Sequence, residues 1–297
     1  MSDLQLIFNG DDLGRTVAMN QAILRAHEEG VLTSASLMVT AAAAEDAVVR
    51  ARACPRLGVG LHLALTDAPP ASGNWAPHWL AADGRLRADP VRMGVACFFS
   101  GAVREALRRE LAAQMALFKG TGFSPSHVDS HLLIHLHPTV LSLLIPLAEQ
   151  HGFQGIRVPR DDLRLALAAD RAFAGVKLAW KAIYTLLCAL AEPGIRRSSL
   201  AYTDRVYGLL QSGRMHEAYV ESLLRKIPPT VHSAELYFHP CPASFDGPFG
   251  PNPDDLATLL SPRVRQAIAG RGAQTCTYAA IRAGSWRRIA CSGHSSS

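Results

Sequence analysis

Strand-length apolar segments alternate with helical segments along most of the chain, and this alternation constrains the fold more than any other feature. The segments that predict strands are residues 4–8, 32–40, 57–65, 126–131, 155–159, 233–240 and 274–279. Helical patterns separate them, and the first begins with Thr16 as its N-cap and ends at Gly30. Strands that alternate with helices at this frequency predict one α/β domain with a parallel sheet, either open or closed into a barrel.

Composition and charge argue against several functions. The 297 residues carry a net charge of +5, but the arginines are dispersed and form no basic stripe with aromatic residues, which argues against nucleic acid as a partner. The 6 cysteines lack CxxC spacing, as expected for reduced thiols in a cytoplasmic protein. No signal segment is visible, and no uncharged apolar run approaches ~18 residues, so we predict no membrane-spanning helix. Peripheral contact with an anionic membrane stays open.

Acidic, imidazole and guanidinium side chains recur where the predicted strands end. These residues are Asp11, Asp12, His62, His131, Arg157, Arg160 and His239. The carboxyl ends of parallel strands lie on one face of the sheet, which is where α/β proteins place their active sites. The sequence therefore predicts a functional site on that face.

The segment HVDSH, residues 127–131, gives the sharpest local signal. On a strand, His127, Asp129 and His131 share one face. A single metal ion cannot take all three from a straight strand, because its ligands lie only about 2.0–2.2 Å away. We therefore expect one histidine to bind a metal and Asp129 to orient a neighbouring ligand. The alternative is a polar strand end with hydrogen-bonded histidines.

Residues 171–194 predict a helix with apolar side chains on nearly every side. Two interpretations stay open. The helix is buried against the barrel or a homodimer partner, or it is an apolar lid that contacts a lipid-bearing acceptor or the membrane. The contacts expected of a lid come from Phe173, Trp180, Tyr184 and Leu187. The longest uncharged run, residues 182–191, is too short to span a bilayer.

Four segments, taken as an ordered set, resemble the YdjC-type carbohydrate deacetylases. They are NGDDLG (9–14), GLHLAL (60–65), HVDSHLLIH (127–135) and YFHP (237–240). The resemblance is dense up to about residue 160 and thinner over 230–285, and it is strongest to the branch associated with hopanoid lipid biosynthesis. It implies a distorted, TIM-barrel-like (β/α) barrel over residues 1–285. A helical apolar insert is expected at about 163–195 and a disordered tail at 286–297.

The resemblance also implies roles for individual residues. Asp12, His62 and His131 would hold one divalent ion, Mg²⁺ or Zn²⁺, with Asp11 as general base and His239 as general acid. Asp129 and His127 would orient the metal ligands without binding the ion themselves. The expected substrate contacts are His135, Arg157 and Arg160, although a surface ion pair is an equally good interpretation of the arginines. Leu133 stands where the family pattern has its middle histidine, so any substrate role of that histidine is absent or moved.

The implied activity is the hydrolytic removal of an acetyl group from an N-acetylated amino sugar. In the hopanoid-associated branch the acceptor would be an N-acetylglucosaminyl hopanoid, a glycolipid. Soluble chito-oligosaccharides are an alternative substrate. Another metal-dependent barrel hydrolase and a non-catalytic lipid- or sugar-binding barrel are alternative functions, since a fold does not fix its chemistry.

Overall fold

A parallel β-sheet organises the protein, and the computed structural model describes it over residues 4–242 and 252–281. Its strands are β1 (Gln5–Leu13), β2 (Ser34–Leu37), β3 (Gly58–Leu63), β4 (His127–Ser130), β5 (Gly155–Ile156), β6 (Arg205–Tyr207), β7 (Ser233–Phe238) and β8 (Gln274–Thr275). Across the sheet the order is β5-β4-β3-β2-β1-β7-β6, and β8 also pairs with β1. Ala201, just before β6, makes a parallel bridge with Gly155 in β5, so the two ends of this order meet. The predicted distorted barrel is confirmed.

Helices connect the strands and cover the outside of the sheet. They are α1 (Val17–Glu29), α2 (Ala44–Ala51), α3 (Pro90–Phe99), α4 (Gly101–Gly120), α5 (Pro138–Gln150), α6 (Leu163–Ala169), α7 (Ala174–Arg197), α8 (Glu217–Lys226), α9 (Pro253–Leu260) and α10 (Pro262–Gly270). Thr16 caps α1 as predicted, because its hydroxyl accepts a hydrogen bond from Met19 N at 3.2 Å. The predicted tail, residues 286–297, lies outside the described residues.

The connection between β3 and α4 is more ordered than its sequence suggested. The sequence indicated an irregular excursion over residues 66–100, yet its last part is helix α3, with Asp89 as N-cap and Pro90 in the first turn. The first part is held by the buried carboxylate of Glu110 in α4. Glu110 accepts hydrogen bonds from the backbone of Ala71 and Ser72 and from the indole of Trp75. Satisfying a buried carboxylate in this way fixes the loop against the barrel.

Helix α7 corrects the expectation that no segment could span a membrane. Among the described residues it is a helix long and apolar enough to do so by length and composition. It is, however, fastened to the barrel along its length. Lys181 Nζ donates to Asp161 O at 2.8 Å, Tyr184 Oη to Leu132 O at 3.1 Å, and Cys188 Sγ contacts Pro159 O at 3.4 Å. The helix therefore lies along the barrel surface, with one narrow stripe buried and its other sides exposed.

Candidate active site

A cavity of about 590 Å³ opens at the carboxyl ends of β1, β3, β4 and β7. Its polar lining includes Asp11, Asp12, His62, His131 and His239. Helices α3 and α7 and the 3₁₀ turn His131–Leu136 supply an apolar wall. Because the carboxyl ends of parallel strands lie on one face of the sheet, the fold brings together these five residues, all of which the sequence singled out.

The end of β1 sends its two adjacent carboxylates to different partners. Its pairing with β2 shifts register between Gly10 and Leu13, and Asp12 has φ 62°, in the left-handed region. Aspartate is one of the few non-glycine residues that adopts this conformation readily. Asp11 consequently meets Arg157, while Asp12 meets His62 and His131 with Oδ1 and accepts from Arg15 with Oδ2 at 3.0 Å. This divergence explains how a buried strand can end in two acids.

Asp12, His62 and His131 form a set of donors that fits a metal ion. One ligand atom from each lies within 4.8 Å of the others. His62 Nδ1 donates to Asp129 Oδ1 at 2.8 Å, which directs Nε2 toward Asp12 Oδ1 at 3.4 Å. This Nε2 is buried and makes no hydrogen bond within the described residues. A buried polar atom without a partner is costly, and a cation bound there in place of a proton would satisfy it. Two imidazoles and one carboxylate suit Zn²⁺.

The charges around this set favour a cation. Burial disfavours a charged imidazole at His62, but the charge of Asp129, its hydrogen bond to Nδ1 and the nearby carboxylates of Asp12 and Asp11 outweigh this effect and raise the pKa of His62 to about 10. Burial also disfavours the carboxylate of Asp12, yet His131 and His62 hold its pKa well below the usual range. The negative potential that makes His62 retain a proton is the same potential that would attract a divalent ion.

Arg157 is fully buried and joins Asp11 to two further carboxylates. Its Nη1 and Nη2 each donate to Asp11 at 2.7 Å. Nη2 lies 2.8 Å from Asp129 Oδ2, and Nε and Nη2 donate to Glu235 Oε1 at 2.9 and 2.7 Å. Tyr278 Oη in turn donates to Glu235 Oε2 at 2.5 Å. This network fixes the orientation of the Asp11 carboxylate.

His239 stands beside the other oxygen of Asp11. Asp11 Oδ1 accepts from both Arg157 and Asn9, whereas Oδ2 accepts from Arg157 and lies 3.9 Å from His239 Nε2. The backbone of His239 is held by Asp255 Oδ2, which accepts from its N at 2.9 Å. Asp11 Oδ2 and His239 Nε2 are thus a proton acceptor and a proton carrier that line the same cavity.

The profile of the YdjC-like family matches residues 5–270, which is most of the chain and includes all of the site described above. The chain belongs to the YdjC-like family. The carbohydrate deacetylase of Brevibacillus brevis is 40% identical over 148 residues, which are 50% of this chain and 57% of that protein. The chain therefore spans about half the length of this relative.

Two longer comparisons cover nearly the whole YdjC-like chain. The chitooligosaccharide deacetylase of Klebsiella pneumoniae subsp. pneumoniae is 27% identical over 288 residues, 92% of this chain and 97% of that one. A crystal structure from Enterococcus faecalis V583, of a protein named for cellobiose-phosphate cleavage, superimposes with a TM-score of 0.69 at 22% identity. It covers 94% of this chain and 99% of its own. At this identity the second likeness establishes the shared fold alone.

The structure corrects the substrate contacts predicted for this YdjC-like protein. Arg157 cannot reach a substrate directly, because it is fully buried among carboxylates behind Asp11. His135 is also fully buried, between Ser130 Oγ and Arg157 O, and burial lowers its pKa to about 4. Arg160 lies outside the cavity, where it pairs with Glu192 at 3.2 Å and covers the Tyr202 ring. The ion-pair interpretation of Arg160 fits this position.

Asp129 and His127 lie on the side of the candidate ligands away from the cavity, where a chain of hydrogen bonds joins them. His127 Nε2 donates to Ser36 Oγ at 3.0 Å, and Ser36 Oγ donates to Asp129 Oδ2 at 2.9 Å. Burial lowers the pKa of His127 to about 4, so it is a neutral donor in this chain of hydrogen bonds. Four further residues of this network were not predicted from the sequence: Ser36, Asn9, Glu235 and Tyr278. A charged residue inside the apolar strand SAELYF was the signal for Glu235.

The residues expected to form an apolar lid divide into two groups. Trp180, Tyr184 and Leu187 of α7 line the same cavity as the acidic and imidazole residues. Phe173 does not line it; its exposed ring instead lies 5.1 Å from the guanidinium carbon of Arg214. The cavity is therefore polar on the barrel side and apolar on the α7 side.

Proposed function

We propose that this protein is a metal-dependent deacetylase that hydrolyses the N-acetyl group of an amino sugar carried on a lipid. One observation carries the proposal: a donor set that fits a metal ion adjoins Asp11 and His239 in a single cavity. The names of the Brevibacillus and Klebsiella relatives support deacetylation of a carbohydrate.

Asp12, His62 and His131 would hold the divalent ion, Zn²⁺ or Mg²⁺. Such an ion polarises a carbonyl oxygen and lowers the pKa of a bound water. Asp11 Oδ2 would take the proton of the attacking water, because Arg157 and Asn9 fix the carboxylate with this oxygen 3.9 Å from His239 Nε2. When the C–N bond breaks, His239 Nε2 would donate a proton to the departing amine. The products are acetate and the free amino sugar.

The shape of the cavity supports a substrate with an apolar part. Trp180, Ile183 and Leu187 on α7 and Val91 on α3 line the same cavity as the polar residues. A sugar needs hydrogen-bonding partners and gains little from such a wall, whereas a polycyclic or alkyl group attached to the sugar would bury apolar surface against it. An N-acetylglucosaminyl hopanoid has this construction. A soluble chito-oligosaccharide is the second candidate, supported by the name of the Klebsiella relative.

Acetate release tests the proposal. We expect the purified protein loaded with Zn²⁺ or Mg²⁺ to release acetate from an N-acetylglucosaminyl lipid in detergent and, with lower kcat/KM, from chito-oligosaccharides. Chelation should abolish both activities, and adding back the metal should restore them. Acetate release by protein shown to be metal-free by elemental analysis would contradict metal dependence. Failure to release acetate from either acceptor would contradict the deacetylase assignment.

A further inference from the structure

Two apolar helices flank the mouth of the cavity, and the sequence had indicated only one of them. Helix α3 exposes Val91 and Phe99, whose exposed fractions are 75% and 84%. Helix α7 exposes six further apolar side chains: Val176, Leu178, Trp180, Ile183, Leu186 and Leu190. Both helices contact the His131–Leu136 turn. We propose that this surface, the α3–α7 face, docks the protein on an anionic lipid bilayer.

The amount of exposed apolar surface requires an explanation. Single exposed apolar residues are ordinary, but sets of them on two helices that contact the same turn mark an interaction site. On α7 only the stripe that includes Tyr184, Cys188 and Ala191 packs against the protein, while Leu186 and Leu190 are 61% and 56% exposed. The bulky side chains of an interfacial helix enter the boundary between headgroups and acyl chains in this arrangement.

The exposed charges of the α3–α7 face favour an anionic surface. Arg92 and Arg171 are exposed there. Lys177 does not add to them, because it is buried and pairs with Asp170 at 3.4 Å, and Lys181 donates to Asp161 O of the barrel. Arg104 donates to Phe98 O at 2.8 Å, which brings a further exposed guanidinium to the end of α3. Basic residues beside apolar and aromatic ones attract the protein to acidic headgroups and then let it insert shallowly.

The same charges argue against a second copy as the occupant. In a two-fold symmetric dimer the same patch meets itself, so these cations would face like charges across the interface. An acidic bilayer neutralises them instead.

The α3–α7 face is also continuous with the cavity. Trp180 and Ile183 of α7 and Val91 of α3 line the cavity and are also exposed to solvent. A lipid-linked sugar could therefore pass from the bilayer toward Asp12 without exposing its apolar part to water. This role for the face rests on the proposed function, whereas bilayer binding itself is independent of catalysis.

Co-sedimentation with vesicles tests the inference. We expect the wild type to bind phosphatidylcholine vesicles that contain phosphatidylglycerol, and to bind them less as salt rises or when the acidic lipid is omitted. Phe99→Glu with Leu186→Glu should lower the bound fraction at least about tenfold, because each change replaces apolar contact by a repelled charge. The matched control, Val49→Glu with Leu117→Glu, alters two exposed apolar residues on α2 and α4 and should bind as the wild type does.

A second measurement does not depend on the charged variants. Brominated lipids should quench the tryptophan fluorescence of the wild type, and Trp180→Phe should remove that quenching. The inference is wrong if the wild type does not bind vesicles that contain phosphatidylglycerol. It is equally wrong if Val49→Glu with Leu117→Glu loses as much binding as Phe99→Glu with Leu186→Glu. It is also wrong if light scattering shows a dimer that Phe99→Glu with Leu186→Glu converts to a monomer.

Acetate release from soluble chito-oligosaccharides should be equal in both double variants. If neither the wild type nor either double variant releases acetate, that result counts against the proposed function. Vesicle binding still tests the α3–α7 face, because it does not depend on catalysis.

Discussion

His62 donates a hydrogen bond from Nδ1 to Asp129 Oδ1 at 2.8 Å, and this bond sets which of its nitrogens faces Asp12. A carboxylate can only accept, so Nδ1 carries a proton and Nε2 is the nitrogen directed toward Asp12. Asp129 also contacts Arg157 at 2.8 Å and accepts from Ser36 Oγ. One buried carboxylate thus joins the candidate metal ligands to the network that holds Asp11.

Replacing this carboxylate should weaken metal binding without removing a ligand. We expect Asp129→Asn to lower zinc affinity roughly 10- to 100-fold, the usual effect of losing the partner that orients a ligating histidine. Competition with a chromophoric chelator measures the affinity, and thermal denaturation checks the fold. Asp83→Asn, at an exposed carboxylate, is the control. Unchanged zinc affinity in folded Asp129→Asn would show that Asp129 does not orient His62.

The two adjacent acids should separate metal binding from turnover. Asp12→Asn is expected to lose the metal, because Asp12 supplies the charged member of the donor set. Asp11→Asn should keep it yet reduce kcat by about 10²–10⁴, the usual contribution of a general base. Metal content by elemental analysis and acetate release by a coupled assay give the two readouts. If Asp11→Asn loses the metal and Asp12→Asn retains it, the two roles are exchanged.

The Arg157 network should contribute strongly to stability. Arg157 carries its charge in a fully buried position, and Glu235 accepts two of its hydrogen bonds. Glu235→Ala should lower the free energy of unfolding by about 3–5 kcal/mol, as expected when one partner of a buried ion pair is removed. Tyr278→Phe, which removes one hydrogen bond to Glu235, should cost only about 1 kcal/mol. Urea denaturation at pH 7 compares them, and equal losses would contradict this ranking.

Stability should fall in mild acid because of His135. Burial lowers the pKa of His135 to about 4 in the folded protein, while an unfolded histidine has a pKa of about 6.5. The unfolded chain therefore binds the proton more readily. The contribution is fully present above pH 6.5 and is lost as the pH falls toward 4. Its size is about 3 kcal/mol, since each pKa unit corresponds to about 1.4 kcal/mol.

A glutamine at this position gives the test. His135→Gln keeps a side-chain amide but does not titrate, so the stability difference from the wild type should shrink as the pH falls from 7 to 4.5. Urea denaturation at several pH values measures it. The control His232→Gln changes an exposed histidine and should leave the pH profile unchanged. A profile of His135→Gln parallel to that of the wild type would exclude His135 as the source.

Much of the site could be predicted from the order of the residues along the chain. Asp12, His62 and His131 follow apolar segments, and parallel strands deliver whatever follows them to one face. This rule depends on topology alone, so it holds although the three residues come from strands far apart in sequence. Thr16 and Gly30 likewise predicted the limits of α1 from local backbone chemistry.

The depth at which each strand-end residue lies was decided by tertiary structure. Arg157 ends β5 much as His131 ends β4, yet it is buried because β1 and β7 bring Asp11 and Glu235 to it across the barrel. No local pattern encodes that encounter, since it depends on which strands become neighbours. The same holds for α3 and α7. Sequence gives each helix its apolar residues, but only the packed structure shows which of them face the cavity and which face outward.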